Sequence, residues 1–156
     1  MITPRTPSVM RIVWTDYWAA LAAIFLFPFL ALIFIFGILP MLLDSRITTN
    51  LASLLTLLIG AAFWTLIFGG ALAWRITVIR SVFADGQDVR GQIGEVGFSR
   101  DHGTVKYSYT YMGTNYTGSN REMKNGRTGR LAAGAEAGVM VDTGDPRRAF
   151  LKDLYL

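Results

Sequence analysis

The single histidine, His102, lies in RDHGT beside Asp101. An Asp-His pair is raw material for general base catalysis, but a base needs a nucleophile within hydrogen-bond reach and a walled pocket. A short polar turn supplies neither, so His102 reads as an exposed turn residue. The chain has no cysteine, which removes disulfides, thiolate metal sites and cysteine nucleophiles. One histidine also leaves a histidine-based metal cluster short of ligands. The acidic residues do not pair at helical spacing in a way that suggests a metal site. The glycine-rich pieces GQIGEVG (91–97) and NGRTGR (125–130) resemble phosphate loops only in composition, because neither follows a strand and opens a helix. The expectation is therefore no catalytic residue, no metal and no cofactor.

One polar segment stands out. REMKNGRTGR (121–130) places Arg121, Lys124, Arg127 and Arg130 beside a single acid. Read as a loop, it is a solvated surface, a site for anionic lipid headgroups at about 1 kcal/mol per basic group, or a match for an acidic patch on a partner. Nucleic acid ranks last, because no stacking platform accompanies the charges. The net charge of +4 is modest, and residues 75–156 carry 12 Lys/Arg against 9 Asp/Glu. A polynucleotide binder shows a denser basic face.

These groups must be positioned by a very uneven chain. Between Tyr17 and Trp74 only Asp44 and Arg46 are charged. The uncharged runs 17–43 and 47–74 hold 27 and 28 residues, and about 20 suffice to cross the hydrocarbon of a bilayer. We expect a transmembrane hairpin: an N-terminal segment 1–16, helices over 17–43 and 51–74, a turn at 44–50, and a juxtamembrane helix over 75–86. Trp14, Tyr17, Trp18 and Trp74 mark interfaces. Arg5, Arg11, Arg75, Arg80 and Arg90 flank the outer ends against Arg46 in the turn, so the positive-inside rule places both termini in the cytoplasm of an inner membrane. No ionisable group lies near mid-span, which argues against a transporter or channel. Pro28 should kink the first helix. Ala61, Thr65, Gly69 and Ala73 recur every four residues as a close-packing face, receiving the first span or another membrane protein. Phe25, Phe27, Phe29, Phe34 and Phe36 face lipid, pigment or quinone.

The periodicity changes after Gly86. TVKYSYTY (104–111) alternates, with Val105, Tyr107, Tyr109 and Tyr111 on one face, as a half-buried strand does. VRGQIGEVGF (89–98) is a second strand whose register shifts near Gly94, the mark of a bulge. A third lies around Tyr116, a fourth is AGVMVDT (137–143), and RAFLKDLYL is a candidate fifth. Four to five short antiparallel strands over 87–156 indicate a small sheet or partly closed barrel, with TVKYSYTY as its central strand. Tyr107, Tyr109, Tyr111, Val139 and Val141 are its expected core. Val139, Val141, Phe150 and Leu151 close the sheet around a turn fixed by Pro146, leaving Arg147 and Arg148 outside.

The order of features in residues 88–152 resembles a widespread family of small bacterial membrane proteins with a C-terminal β domain of unassigned function. The features are Gly91 and Gly94, YSYTYMGTNYTG, Gly134 or Gly138, and VMVDTGDPRRAFL. In VDTGDP the chain departs from the aromatic and second proline more usual at that turn. The resemblance implies a fold and a membrane setting, and no catalytic residues.

Together these features describe a non-catalytic integral membrane accessory protein. Its hairpin and cytoplasmic β domain would dock onto a larger complex, respiratory or photosynthetic for example. The expected partners are other membrane proteins and the bilayer, with no nucleic acid and no small-molecule substrate. The alternative is a membrane-anchored sensor or regulator whose β domain binds a small ligand or anionic headgroups.

Overall fold

The computed structural model describes residues 6–39 and 51–156; the expected turn at 44–50 and the end of the first run lie outside them. The chain divides into two compact units, one formed by Met1–Ala20 with Arg75–Leu156 and the other by Leu21–Trp74.

Helix α1 spans Val9–Thr15 and α2 spans Tyr17–Ile33, continuing into a wider π-helical turn at Phe34–Ile38. Pro28 lies inside α2. Helix α3 runs unbroken from Leu51 to Asp85, so the expected juxtamembrane helix is its last part, and Gly86 follows it. Two helical segments, Tyr17–Ile38 and Leu54–Asp85, are long and apolar enough to cross a membrane. Only 0% and 6% of their most apolar windows are buried, which is not how the central helix of a water-soluble core behaves.

Within the Leu21–Trp74 unit the packing is aromatic. Phe68 stacks on Phe25 and Phe29, and Phe29 on Trp64. Ala61 is buried, Leu26 lies 3.8 Å from where a Gly69 Cβ would stand, and the Thr65 hydroxyl returns to the Ala61 carbonyl. Ala73, at the end of that stripe, is exposed. Phe27 is also exposed, at 74%.

The remaining unit is built on a five-stranded antiparallel sheet, nearly closed into a barrel: β1 Gln87–Ser99, β2 His102–Tyr111, β3 Thr114–Met123, β4 Glu136–Val141 and β5 Ala149–Leu151. Their order is β3-β2-β1-β4-β5. The centre is therefore β1, not the tyrosine strand β2, because β4 returns to pair with the first half of β1 while β2 occupies its second half. The register of β1 against β2 slips between Ile93 and Glu95, the bulge expected at Gly94. The last candidate strand is shorter than the sequence suggests. Pairing with β4 stops at Leu151, and Lys152–Tyr155 coils into a short helix α4 that buries Leu154 and Tyr155.

Strand β3 departs most from expectation. It runs ten residues, far beyond Tyr116, and its inward positions are Gly118, Asn120 and Glu122. No apolar alternation marks it. Gly118 is required there by contact, since a Cβ would stand 2.5 Å from the Tyr107 ring.

Tyr107, Tyr109 and Tyr111 are 1%, 3% and 5% exposed, so they fill the interior. Tyr107 donates to the Ala149 carbonyl at 2.6 Å and Tyr109 to the Pro146 carbonyl at 2.5 Å. These bonds tie β2 to β5 and its turn across the interior. Buried phenols need such partners.

Candidate functional site

The most concentrated polar chemistry lies inside the β-containing unit, where Asp16, Arg75, Glu122 and Tyr155 meet. Asp16 interrupts the two N-terminal helices in an extended conformation (φ −80°, ψ 122°). It bridges to Glu122 as a single β-pair. Its Oδ1 accepts from the Ala19 amide at 2.9 Å, capping α2 in the manner that favours Asp before a helix. The same carboxylate receives Arg75 in a fork, with Nη2 to Oδ2 at 2.5 Å and Nε to Oδ1 at 3.1 Å. A forked arginine–carboxylate pair fixes orientation as well as charge. The Arg75 guanidinium also stacks 5.4 Å over the Phe150 ring.

Glu122 is fully buried and accepts from the Tyr155 hydroxyl at 3.1 Å. Burial, then the neighbouring Asp16 carboxylate, pushes its pKa well above the usual glutamate range, against the opposing Tyr155 and Arg75. The neutral acid is thus favoured, leaving one carboxylate for one guanidinium. Burial, then Glu122, likewise raises the Tyr155 phenol. Phe83 and Phe150 close over the Tyr155 ring, and Arg11 donates to the Tyr155 and Leu156 carbonyls, binding α1 to the C-terminal turn. Glu122 is 0% exposed, so the cluster works from the interior as a latch. It holds the segments leading into and out of the apolar runs against β3 and α4.

The basic stretch 121–130 is not one loop. Arg121 stands on β3, with its guanidinium 4.8 Å over the Tyr17 ring and its Nη2 3.4 Å from His102 Nε2. The His102 ring packs against the Tyr17 ring at 4.7 Å, and His102 is a strand residue, not a free turn residue. Lys124, Arg127 and Arg130 lie exposed beyond the strand. Their backbone is shaped by buried Thr128, whose hydroxyl donates to the Met123 carbonyl and accepts from the Asn125 amide at 2.7 Å. The strand separates Arg121 from the other three.

An outer concavity of about 510 Å³ is lined by Arg90, Gln92, Thr110, Asn115, Tyr116 and Glu136 among others, with cation and acid both present. Among the described residues no three His, Asp or Glu side chains gather as a metal site requires.

Sequence reading missed Asp16, Arg75 and Glu122 as a group. Asp16 carries a signal, an Asp directly before a long apolar helix. Glu122 carries none, because in the sequence it sits within the charged run 121–130. Comparisons with protein-family models, curated proteins and solved structures find no match to this chain.

Proposed function

We propose that this chain is a non-catalytic integral membrane protein whose helical hairpin anchors a β module that docks onto a larger membrane assembly. One observation carries the reading. The module spends its buried ionic chemistry, the Asp16–Arg75 pair at 2.5 Å, on clamping the segments that flank the apolar runs. A buried pair of this kind adds little net stability compared with an apolar substitute but specifies one arrangement. Fixed geometry is what a docking body requires, whereas an enzyme exposes its titratable groups to a pocket. The arginine excess at the outer ends of the runs supports a reading in which both termini face the cytoplasm of a bacterial inner membrane. The resemblance over residues 88–152 supports the same setting.

Extraction from native membranes in mild detergent, followed by size analysis and identification of co-purifying proteins, tests the reading. A stable larger species containing other integral membrane proteins is expected. A clean monomer with no companion rejects it.

A further inference from the structure

A cleft of about 460 Å³ opens on the β-containing unit, and four arginines line it: Arg75, Arg121, Arg147 and Arg148. Among the described residues no carboxylate lines it. Asn120 and Trp18 contribute to its wall. Only part of this positive charge is neutralised. Arg75 is forked onto Asp16. Arg148 meets Asp142 at 3.3 Å in a partly exposed pair, where solvent weakens the attraction. Among the described residues the Arg121 guanidinium meets the Tyr17 ring and His102 and forms no ion pair with a carboxylate. The Arg147 guanidinium makes no hydrogen bond or ion pair among the described residues; only its backbone amide is engaged, by Asp145.

Guanidinium groups crowded on one concave wall repel each other, and the low-dielectric surroundings focus their field into the cleft. Asn120 also lines the cleft, but it is 8% exposed and its amide lies in the interior beside the Tyr107 hydroxyl and Glu122. Arginine forks match tetrahedral oxyanions through paired N–H donors, which a lysine surface does not.

We propose that this cleft binds the phosphate of a small phosphate ester, with Arg121 and Arg147 as the principal cationic contacts. Two uncompensated cations suit a group carrying one to two negative charges. A polynucleotide is a poor fit, since it needs an extended charged track with aromatic platforms for successive bases. The phosphate could belong to a lipid headgroup or to a soluble ester. Trp18 on the cleft wall gives an apolar surface for the carbon portion of either. This site uses Arg121 but not Lys124, Arg127 or Arg130. It gives a concrete form to the sensor or regulator alternative and is independent of docking: a monomer that binds phosphate esters would remove the docking reading and leave this one intact.

The test uses the full chain, delipidated in mild detergent. Binding of glycerol 3-phosphate, of phosphatidylglycerol and of zwitterionic phosphatidylcholine is measured by native mass spectrometry and by thermal shift. Wild type should bind at least one of the first two in preference to phosphatidylcholine. Glycerol 3-phosphate binding identifies a soluble ester as the source, and binding of phosphatidylglycerol alone identifies the headgroup. Arg121→Ser/Arg147→Ser should weaken binding by about tenfold or more per arginine, the effect of losing a charge-assisted hydrogen bond. Arg127→Ser/Arg130→Ser removes the same charge outside the cleft and should change little. If the serine variant does not fold, Arg121→Lys/Arg147→Lys keeps the charge without the fork and should still lose affinity. Equal losses in the cleft and loop variants, or no phosphate ester bound by wild type, would overturn the proposal.

Discussion

Asp16 offers the sharpest test of the latch, because one side chain performs two separable tasks. Asp16→Ala removes the α2 cap, worth about 1 kcal/mol. It also strands Arg75, and breaking a buried ion pair from one side costs about 3–5 kcal/mol. The Arg75 side chain keeps 23% of its surface exposed, so part of its charge regains water and the lower end of that range applies. The expected total is about 4 kcal/mol of destabilisation. Asp16→Asn keeps an oxygen for the Ala19 amide and loses the charge, so about half that loss is expected. The double variant Asp16→Ala/Arg75→Met should be less destabilised than the two single losses added together, since neither charge is then left alone. Thermal unfolding of the full chain in detergent, followed by near-ultraviolet circular dichroism of the buried tyrosines, reads wild type, Asp16→Ala, Asp16→Asn, Arg75→Met and the double variant. An Asp16→Ala protein within about 0.5 kcal/mol of wild type would refute the reasoning, because surface substitutions do no more than that.

Glu122 predicts a pH dependence of definite sign. Its folded pKa is raised, so the folded state holds a proton that the unfolded chain releases. The associated stability is full below the ordinary glutamate value and is lost as pH rises through the folded one. Glu122→Gln should flatten that decline, and an unchanged stability–pH profile in the variant would count against a neutral Glu122. Gly118→Ala forces a methyl into the Tyr107 ring. It should cost about 1–3 kcal/mol by overpacking, measured by the same melt. Tyr107→Phe removes the bond to the Ala149 carbonyl and should cost about 1–3 kcal/mol for the acceptor left unpaired in the interior. In membrane vesicles of known sidedness, protease added from the cytoplasmic face should reach the exposed Arg127–Arg130 region, and cleavage only from the opposite face would reverse the orientation.

Several elements were legible in the sequence because their causes are local. The lengths of the apolar runs follow from composition alone. The alternation of Val105, Tyr107, Tyr109 and Tyr111 announces a strand, and Gly94 marks the slip in β1. Strand β3 was nearly invisible, since its buried positions are Gly118, Asn120 and Glu122. A period-two signal exists only when inward residues are apolar, and here they are a glycine that makes room for Tyr107 and two polar groups whose partners, Tyr107 and Tyr155, lie elsewhere in the chain.

The charged groups divide the same way. Sequence established how many arginines there are and that they avoid the apolar runs. It read Arg121 with its neighbours Lys124, Arg127 and Arg130, because proximity along the chain was the only proximity available. The fold regroups it with Arg75, Arg147 and Arg148 around a cleft, and seats Asp16 against Glu122 from the far side of both apolar runs. Local pattern determines which segments become helix or strand, since that depends on neighbours a few residues away. Which charges face one another depends on strand order and on how the chain returns to the sheet, and only the closed sheet decides that.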